Sequence, residues 1–279
     1  KEKSKNHIKL GIAKDIEIKK GDIQNFKTIE KLISKYQPNR IFNLAAQSSV
    51  GKSINEPVET MEGIVNGTLN LLEVSRKLNY SGKIFFAGSS EMFGNIENKA
   101  NIDHPQKPLS PYAIGKQASF NLVKLYRNIH NIKSMTGVLF NHESYLRNEN
   151  FVTQKILKGA KKIKNKKCKK LKLGNINVFR DWGWAPEYVE AMQLIANSEK
   201  QNDHVICSGS SNTIKSFIIE VFQAYDLDWK DHVEIDENLY RPSEIQKSCG
   251  DPEPLLKDLG WKAQEDFRSI ICKLVSTNE

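Results

Sequence analysis

The sequence predicts an α/β protein: a parallel sheet covered by helices on both faces, joined to a smaller α+β lobe. Three observations carry this prediction. Short apolar runs alternate with helix-like segments from residue 16 to 144, the pattern of a parallel sheet. Three of these runs end in small or polar residues, NLAAQSS, FAGSSE and LFNHES, at the carboxyl edge where such sheets bind ligands. The order of elements then becomes mixed in the second half. The expected division is therefore 1–150 for the sheet domain and 151–279 for the lobe, with some segments of the lobe returning to the sheet.

IEIKKGDI (16–23) alternates like a strand. Phe26, Ile29, Leu32, Ile33 and Tyr36 then recur at the spacing of an amphipathic helix. RIFNLAA (40–46), after Pro38, is a short buried strand, and 57–78 is a helix with proline at its start. KIFFAGSS (83–90) is the next strand, 110–130 a helix with Pro111 in its first turn, and SMTGVLFNHES (134–144) another strand. The crossovers are expected to be right-handed. In the second half, a Lys-rich stretch (155–172) leads into a loop (173–184). A helix follows from about Pro186 to Ile195, then a strand near HVICSGS and a helix from about Ile214 to Ala224.

Composition narrows the function classes. With 39% hydrophobic and 27% charged residues over a length of 279, the chain is neither disordered nor membrane-spanning. The first ten residues, KEKSKNHIKL, are charged and unlike a secretory signal. The net charge is +9, yet only 7 of the 42 basic residues are arginine, whereas a nucleic-acid reader uses arginine for base edges and phosphates. The Lys-rich stretch has no interleaved aromatics for base stacking and reads as a solvated face. Lysine excess also suits anionic substrates such as nucleotides. Cys168, Cys207, Cys249 and Cys272 form no CxxC or zinc spacing and read as reduced thiols of a cytosolic protein, with no metal site.

Tyr112 and Lys116, four residues apart on a predicted helix, share one face. A nearby ammonium favours phenolate, and such a tyrosine can remove a hydroxyl proton while a hydride leaves the same carbon. Spacing alone means little, since about one YxxxK is expected by chance in a chain this rich in lysine. The context adds weight. Ser89, Ser90 and Glu91 end a predicted strand about 20 residues before the Tyr112 helix, so a strand-end hydroxyl and the phenol can meet one substrate oxygen. Glu91 alone would read as a solvated carboxylate, and His142 as a hydrogen-bonded structural histidine. Arg180 and Arg241 are each either one half of a salt bridge or a bidentate holder of a diphosphate.

The Ser…Tyr…Lys arrangement resembles the extended, nucleotide-sugar branch of the short-chain dehydrogenase/reductases, a Rossmann-type fold. NLAA and GDI fit its cofactor-side motifs. SSEMFG, SPYAIGK, LFNHES, FVTQKI, LGN…RDWGWAPEYVEAM, RPSEI and GDP…LGWK occur in order, and together they closely resemble the GDP-mannose 4,6-dehydratases over roughly residues 16–262. The resemblance implies GDP-mannose as substrate and bound NADP as cofactor. Tyr112 is then the base at the sugar's 4-hydroxyl, and Ser89 holds that oxygen where many relatives have threonine. Glu91 is the acid/base that moves the C5 proton and expels the C6 hydroxyl as water. Lys116 lowers the Tyr112 pKa and binds the nicotinamide ribose. Asp22, Ile23, Leu44, Ala45, Ala46, Ser48, His142 and Arg147 are implied cofactor contacts. Ser90, Asn141, Arg180, Arg241 and Glu244 are implied substrate contacts.

The resemblance also implies a cytoplasmic homo-oligomer, a dimer or tetramer, without nucleic-acid or membrane partners. An epimerase or 4-reductase of the same fold is the alternative, as is a truncated non-catalytic homologue. The truncated reading rests on one departure: the first glycine is Gly11 and no GxGxxG occurs. A strand, Gly-rich turn and helix are therefore expected to be missing ahead of residue 1, with weak NADP binding as the consequence. Smaller departures are Ser49 in place of histidine, Tyr145 in place of proline, and Trp184 at a variable position.

Overall fold

A computed structural model of the chain describes residues 6–277. The first half runs α1 (Asn6–Lys9), α2 (Phe26–Tyr36), β1 (Arg40–Asn43), α3 (Val50–Asn55), α4 (Pro57–Met61), a π-helical turn (62–66), α5 (Gly67–Lys77), β2 (Lys83–Ser89), α6 (Pro111–His130), β3 (Ser134–Leu139) and β4 (Asn141–Glu143). The second half runs α7 (Val152–Lys164), β5 (Leu171–Leu173), β6 (Phe179–Trp184), α8 (Ala185–Asn197), β7 (His204–Ile206), β8 (Ser211–Thr213), α9 (Ile214–Ala224), β9 (Val233–Ile235), α10 (Glu253–Leu259) and α11 (Phe267–Ser276).

Four strands, in the order β1-β2-β3-β7 and all parallel, form the main sheet. The two-residue period of β2 explains why both faces are covered. Ile84 and Phe86 pack on one face with Ile29 and Ile33 of α2, Leu71 and Leu72 of α5, and Val123 of α6. Phe85 and Ala87 pack on the other with Ala191, Met192 and Ile195 of α8 and Leu255 of α10. A second core, with Leu157 of α7, Leu173 of β5, Trp182 of β6, Phe217 and Val221 of α9 and Leu274 of α11, holds the lobe together. Strands β4, β6 and β8 make a small mixed sheet, and β5 pairs with β9.

Helix starts follow the chain chemistry. Asn25 caps α2 by accepting from Thr28 N at 2.9 Å, and Ser110 caps α6 by accepting from Ala113 N at 3.1 Å, with Pro111 in the first helical position.

Four expectations need correction. Residues 16–21 form no strand: Ile16 and Ile18 are exposed, and β1 pairs only with β2, so the alternating pattern has no ladder partner. The helix expected over 57–78 is interrupted by the π turn, where the Ile64 carbonyl accepts from both Thr68 and Ser119 hydroxyls at 2.7 and 3.1 Å. The strand expected over 134–144 divides at the buried Phe140, β3 staying in the main sheet and β4 joining β6. The loop expected over 173–184 contains β6, whose Arg, Asp and Gly carry little strand propensity but whose ladder partners β4 and β8 impose it.

Candidate active site

The carboxyl edge of β2 and the first turns of α6 bring the predicted residues together. Ser89 ends β2, and its hydroxyl accepts from Glu91 N at 3.3 Å, starting the 3-10 turn Ser90–Phe93. Tyr112 is buried, and the Ser89 hydroxyl acts on its phenol. Burial pushes the phenol up to about 12, while the Ser89 hydrogen bond and the charge of Arg147 pull it down. Lys116, one turn along, lies 5.8 Å from the Tyr112 ring centre and 4.9 Å from that of Phe86, and its ammonium donates to Ala87 O at 2.8 Å. Burial lowers its pKa to about 8. Ser89 and Arg147 are the groups that lower Tyr112 here.

Glu91 sits where the lobe meets this edge. Burial raises its pKa, opposed by the nearby charges of Arg180 and Arg241 and reinforced by Glu244. A carboxyl held this way retains its proton to higher pH and is a stronger base once ionised. Arg180, 6% exposed, donates to Phe179 O and Ile245 O, both at 2.8 Å, and to Glu244 Oε1 at 2.7 Å. Nη1 and one N–H of Nη2 go to protein acceptors, which makes Arg180 a buried brace for Glu244. Arg241 is 43% exposed, 3.8 Å from the same Glu244 oxygen, and lines a cavity of about 420 Å³ with Glu244, Tyr240, Asn175 and Leu109.

The remaining residues surround this centre. His142 Nδ1 donates to Phe140 O at 2.8 Å, since a carbonyl only accepts, and burial lowers its pKa to about 4, leaving the ring neutral. Arg147 donates to His142 O at 2.6 Å and stacks 3.9 Å from the Phe151 ring centre. Asn141 opens β4 opposite Trp182, half-buried, and Ser90 is buried in the 3-10 turn. Leu44, Ala45, Ala46 and Ser48 form an exposed ledge after β1, with Ala46 in the left-handed region at φ 94. Asp22 is exposed in a turn, accepting from Gln24 N at 2.9 Å, while Ile23 packs against Gly67 of α5.

Two buried carboxyls here went unnoticed in the sequence. Asp181, next to Arg180, accepts from Ser208 N and Oγ, Gly209 N and Gly250 N at 2.6–3.1 Å, pinning two loops behind the site. Glu143, next to His142, is 1% exposed and bonds to Thr153. Both belong to motifs quoted for their neighbours, RDWG and NHES, and only burial separates them from surface acids. Among the described residues, no cluster of His, Cys, Asp or Glu could hold a metal, the four cysteines are free, and no helix is long and apolar enough to cross a membrane.

The chain is similar to known proteins over most of its length. The family model described as GDP-mannose 4,6 dehydratase matches residues 2–274. GDP-mannose 4,6 dehydratase 1 of Arabidopsis thaliana is 39% identical over 259 residues, covering 91% of this chain and 72% of the relative. The GDP-mannose 4,6 dehydratase of Dictyostelium discoideum is 33% identical, covering 97% and 82%. Among solved structures, RMD from Pseudomonas aeruginosa complexed with NADPH superposes with a TM-score of 0.84 at 20% identity, over 92% of this chain and 86% of the other. The dTDP-glucose 4,6-dehydratase of Bacillus anthracis in complex with NAD gives 0.84 at 18% identity, over 98% and 83%. These two share the fold, a Rossmann-type sheet with a smaller lobe. With its own Ser–Glu–Tyr–Lys constellation in place and the family model spanning nearly all of it, the chain belongs to the GDP-mannose 4,6-dehydratase family.

Proposed function

We propose that this chain is a hydro-lyase that converts GDP-mannose to GDP-4-dehydro-6-deoxymannose and water. The observation that carries the reading is Glu91, a carboxyl raised by burial and electrostatically coupled to Tyr112. An epimerase or simple reductase has no use for an elimination acid at this place.

NADP, when bound, supplies reversible hydride acceptance at the sugar carbons. The residues fit such a group. The Lys116 ammonium uses one donor on Ala87 O and has others for a ribose hydroxyl. The ledge Leu44–Ala46 with Ser48 is open at the carboxyl edge of β1. His142 and Arg147 flank the same edge, and Asp22 with Ile23 stands at the turn before α2. Tyr112 takes the proton of the 4-hydroxyl, and Ser89 holds that oxygen. The resulting 4-ketone acidifies C5. Glu91 then removes the C5 proton and donates a proton to the departing C6 hydroxyl, which leaves as water. That proton leaves in the water, so C5 is re-protonated through Glu91 by a second one, which balances the proton Tyr112 took from the 4-hydroxyl.

GDP-mannose is read into the cavity beside Arg241 and Glu244, with Asn141 and Ser90 on the sugar side and Arg180 acting through Glu244. Residues 1–150 are read as the cofactor domain and 151–279 as mainly the substrate lobe, α8 and β7 returning to the sheet. A homo-oligomer, dimer or tetramer, and a cytoplasmic location complete the reading; free cysteines and the lack of a membrane-crossing helix among the described residues support the latter.

The test is a turnover assay with GDP-mannose and NADP, followed by mass spectrometry for loss of one water. It is run on the chain and on the chain preceded by a strand, Gly-rich turn and helix. Water loss in either supports the reading. No loss in either, with both proteins folded, overturns it.

A further inference from the structure

Glu143 is a carboxyl enclosed in protein with no part in the steps above. It lies on β4, register-paired with Trp184 of β6, and is 1% exposed. Its carboxylate accepts from the Thr153 hydroxyl of α7 at 2.9 Å and lies 3.4 Å from Arg147 Nε. Arg147 in turn donates to His142 O at 2.6 Å and lies over the Phe151 ring, 3.9 Å from its centre. The loop between them is tied by its own bonds, Arg147 N to Ser144 O at 3.1 Å and Gln154 Nε2 to Ser144 O at 3.2 Å. Burying an acid costs free energy that an apolar side chain at this place would avoid. The contact that gives the acid a use is the one with Arg147.

We propose that Glu143 is a positioning residue of this active site: with Thr153 it holds the Arg147 guanidinium against the face of Phe151 and on the His142 carbonyl. This rests on the dehydratase reading for its effect on turnover, but not for the coupling itself. Arg147 is one of the two groups that lower the Tyr112 pKa, so its placement bears on the base that starts the reaction. The charged group facing Glu143 is Arg147, from the following loop; α7 contributes the Thr153 hydroxyl, β6 the uncharged Trp184, and the adjoining His142 is neutral. Burial pushes Glu143 up to about 7, with Arg147 and Thr153 pulling it down. As pH falls through that value Glu143 takes a proton, Arg147 loses its ionic partner, and turnover drops.

The experiment uses Glu143→Gln, Arg147→Gln and the double variant in the full chain. Turnover is followed against pH, and the protonated-carboxyl infrared band is followed without substrate. The wild type is expected to lose turnover below a midpoint of about 7. Glu143→Gln flattens that limb and lowers turnover above it roughly ten- to a hundredfold. The double variant is no worse than Arg147→Gln alone. The infrared band, identified by its loss in Glu143→Gln, titrates at higher pH in Arg147→Gln and in Thr153→Val. An unchanged acid limb in Glu143→Gln, additive losses in the double variant, or a carboxyl midpoint indifferent to Arg147→Gln overturns the proposal. If the wild type releases no water from GDP-mannose, the dehydratase reading fails, and the infrared titrations still decide whether Glu143 holds Arg147.

Discussion

The Lys116 ammonium donates to the Ala87 carbonyl at 2.8 Å, so this half of the Tyr–Lys pair is anchored to β2 and not to the phenol. Its burial depresses the pKa from 10.5 to about 8. The folded state therefore holds fewer protons than the unfolded one between these values, and stability rises with pH across that window. Below it the full cost of a buried charge remains, roughly 3 kcal/mol from the size of the shift. Lys116→Met is expected to melt no lower than wild type near neutrality, and its advantage fades as pH rises through the window. Its turnover falls by about two orders of magnitude or more. Thermal melts at neutral and alkaline pH check this; a variant that melts lower at both would show that the ammonium stabilises the fold.

Ser89 is the hydroxyl that counters the rise of the Tyr112 pKa to about 12. In the proposed reaction Tyr112 is the base, so the active form is the phenolate and turnover goes on rising with pH above neutrality. Removing the hydrogen bond in Ser89→Ala raises the phenol pKa further. The rise of turnover is then expected to move to higher pH, with a loss of about tenfold at neutral pH from one missing hydrogen bond. The pH profile of water release measures it, and an unshifted profile would mean that Ser89 only shapes the strand end.

Much of this site was legible because its residues sit at strand ends and helix starts. Local pattern places Ser89 at a strand end and Tyr112 and Lys116 on one helix face, whereas Glu91 and the roles of all four came from the resemblance. Ser110 and Pro111 begin α6 where the sequence places it. What stayed hidden depends on tertiary partners. No local signal marks Phe140 as the point where a strand passes from one sheet to another. The residues of β6 read as a loop because its ladder is supplied by distant segments. The bonds of Arg180 to Glu244 and the Ile245 carbonyl join positions 64 and 65 residues apart, and a guanidinium in sequence shows its charge but not its acceptors.

Glu91 is tested by separating oxidation from elimination. Glu91→Gln keeps the size and hydrogen-bonding capacity of the side chain but cannot take a proton. Tyr112 and Ser89 remain, so proton removal at the 4-hydroxyl persists, while transfer at C5 and loss of the C6 hydroxyl stall. Water release is expected to fall by about 10²- to 10⁴-fold. In heavy water, the C5 hydrogen of recovered sugar nucleotide no longer exchanges. Continued exchange at the wild-type rate would assign the C5 proton to another group.

Arg180 and Arg241 share Glu244 but differ in what they support, and the difference separates fold from binding. Arg180 is buried and bonded on three sides, whereas Arg241 is 43% exposed at the cavity. Arg180→Met leaves Glu244 and two carbonyls without a donor, a loss of about 3 kcal/mol by analogy with broken buried ion pairs, and is expected to melt several degrees lower. Arg241→Ala removes an exposed pair 3.8 Å long, worth about 0.5 kcal/mol in stability, and leaves the melt in place. Its effect falls on the ligand: a lost charge-assisted hydrogen bond to phosphate weakens GDP-mannose by about tenfold or more. Calorimetric titration with GDP-mannose, alongside melts of both variants, gives the two numbers. Unchanged affinity in Arg241→Ala would move the diphosphate away from this cavity, and an unchanged melt in Arg180→Met would free its guanidinium for the ligand after all.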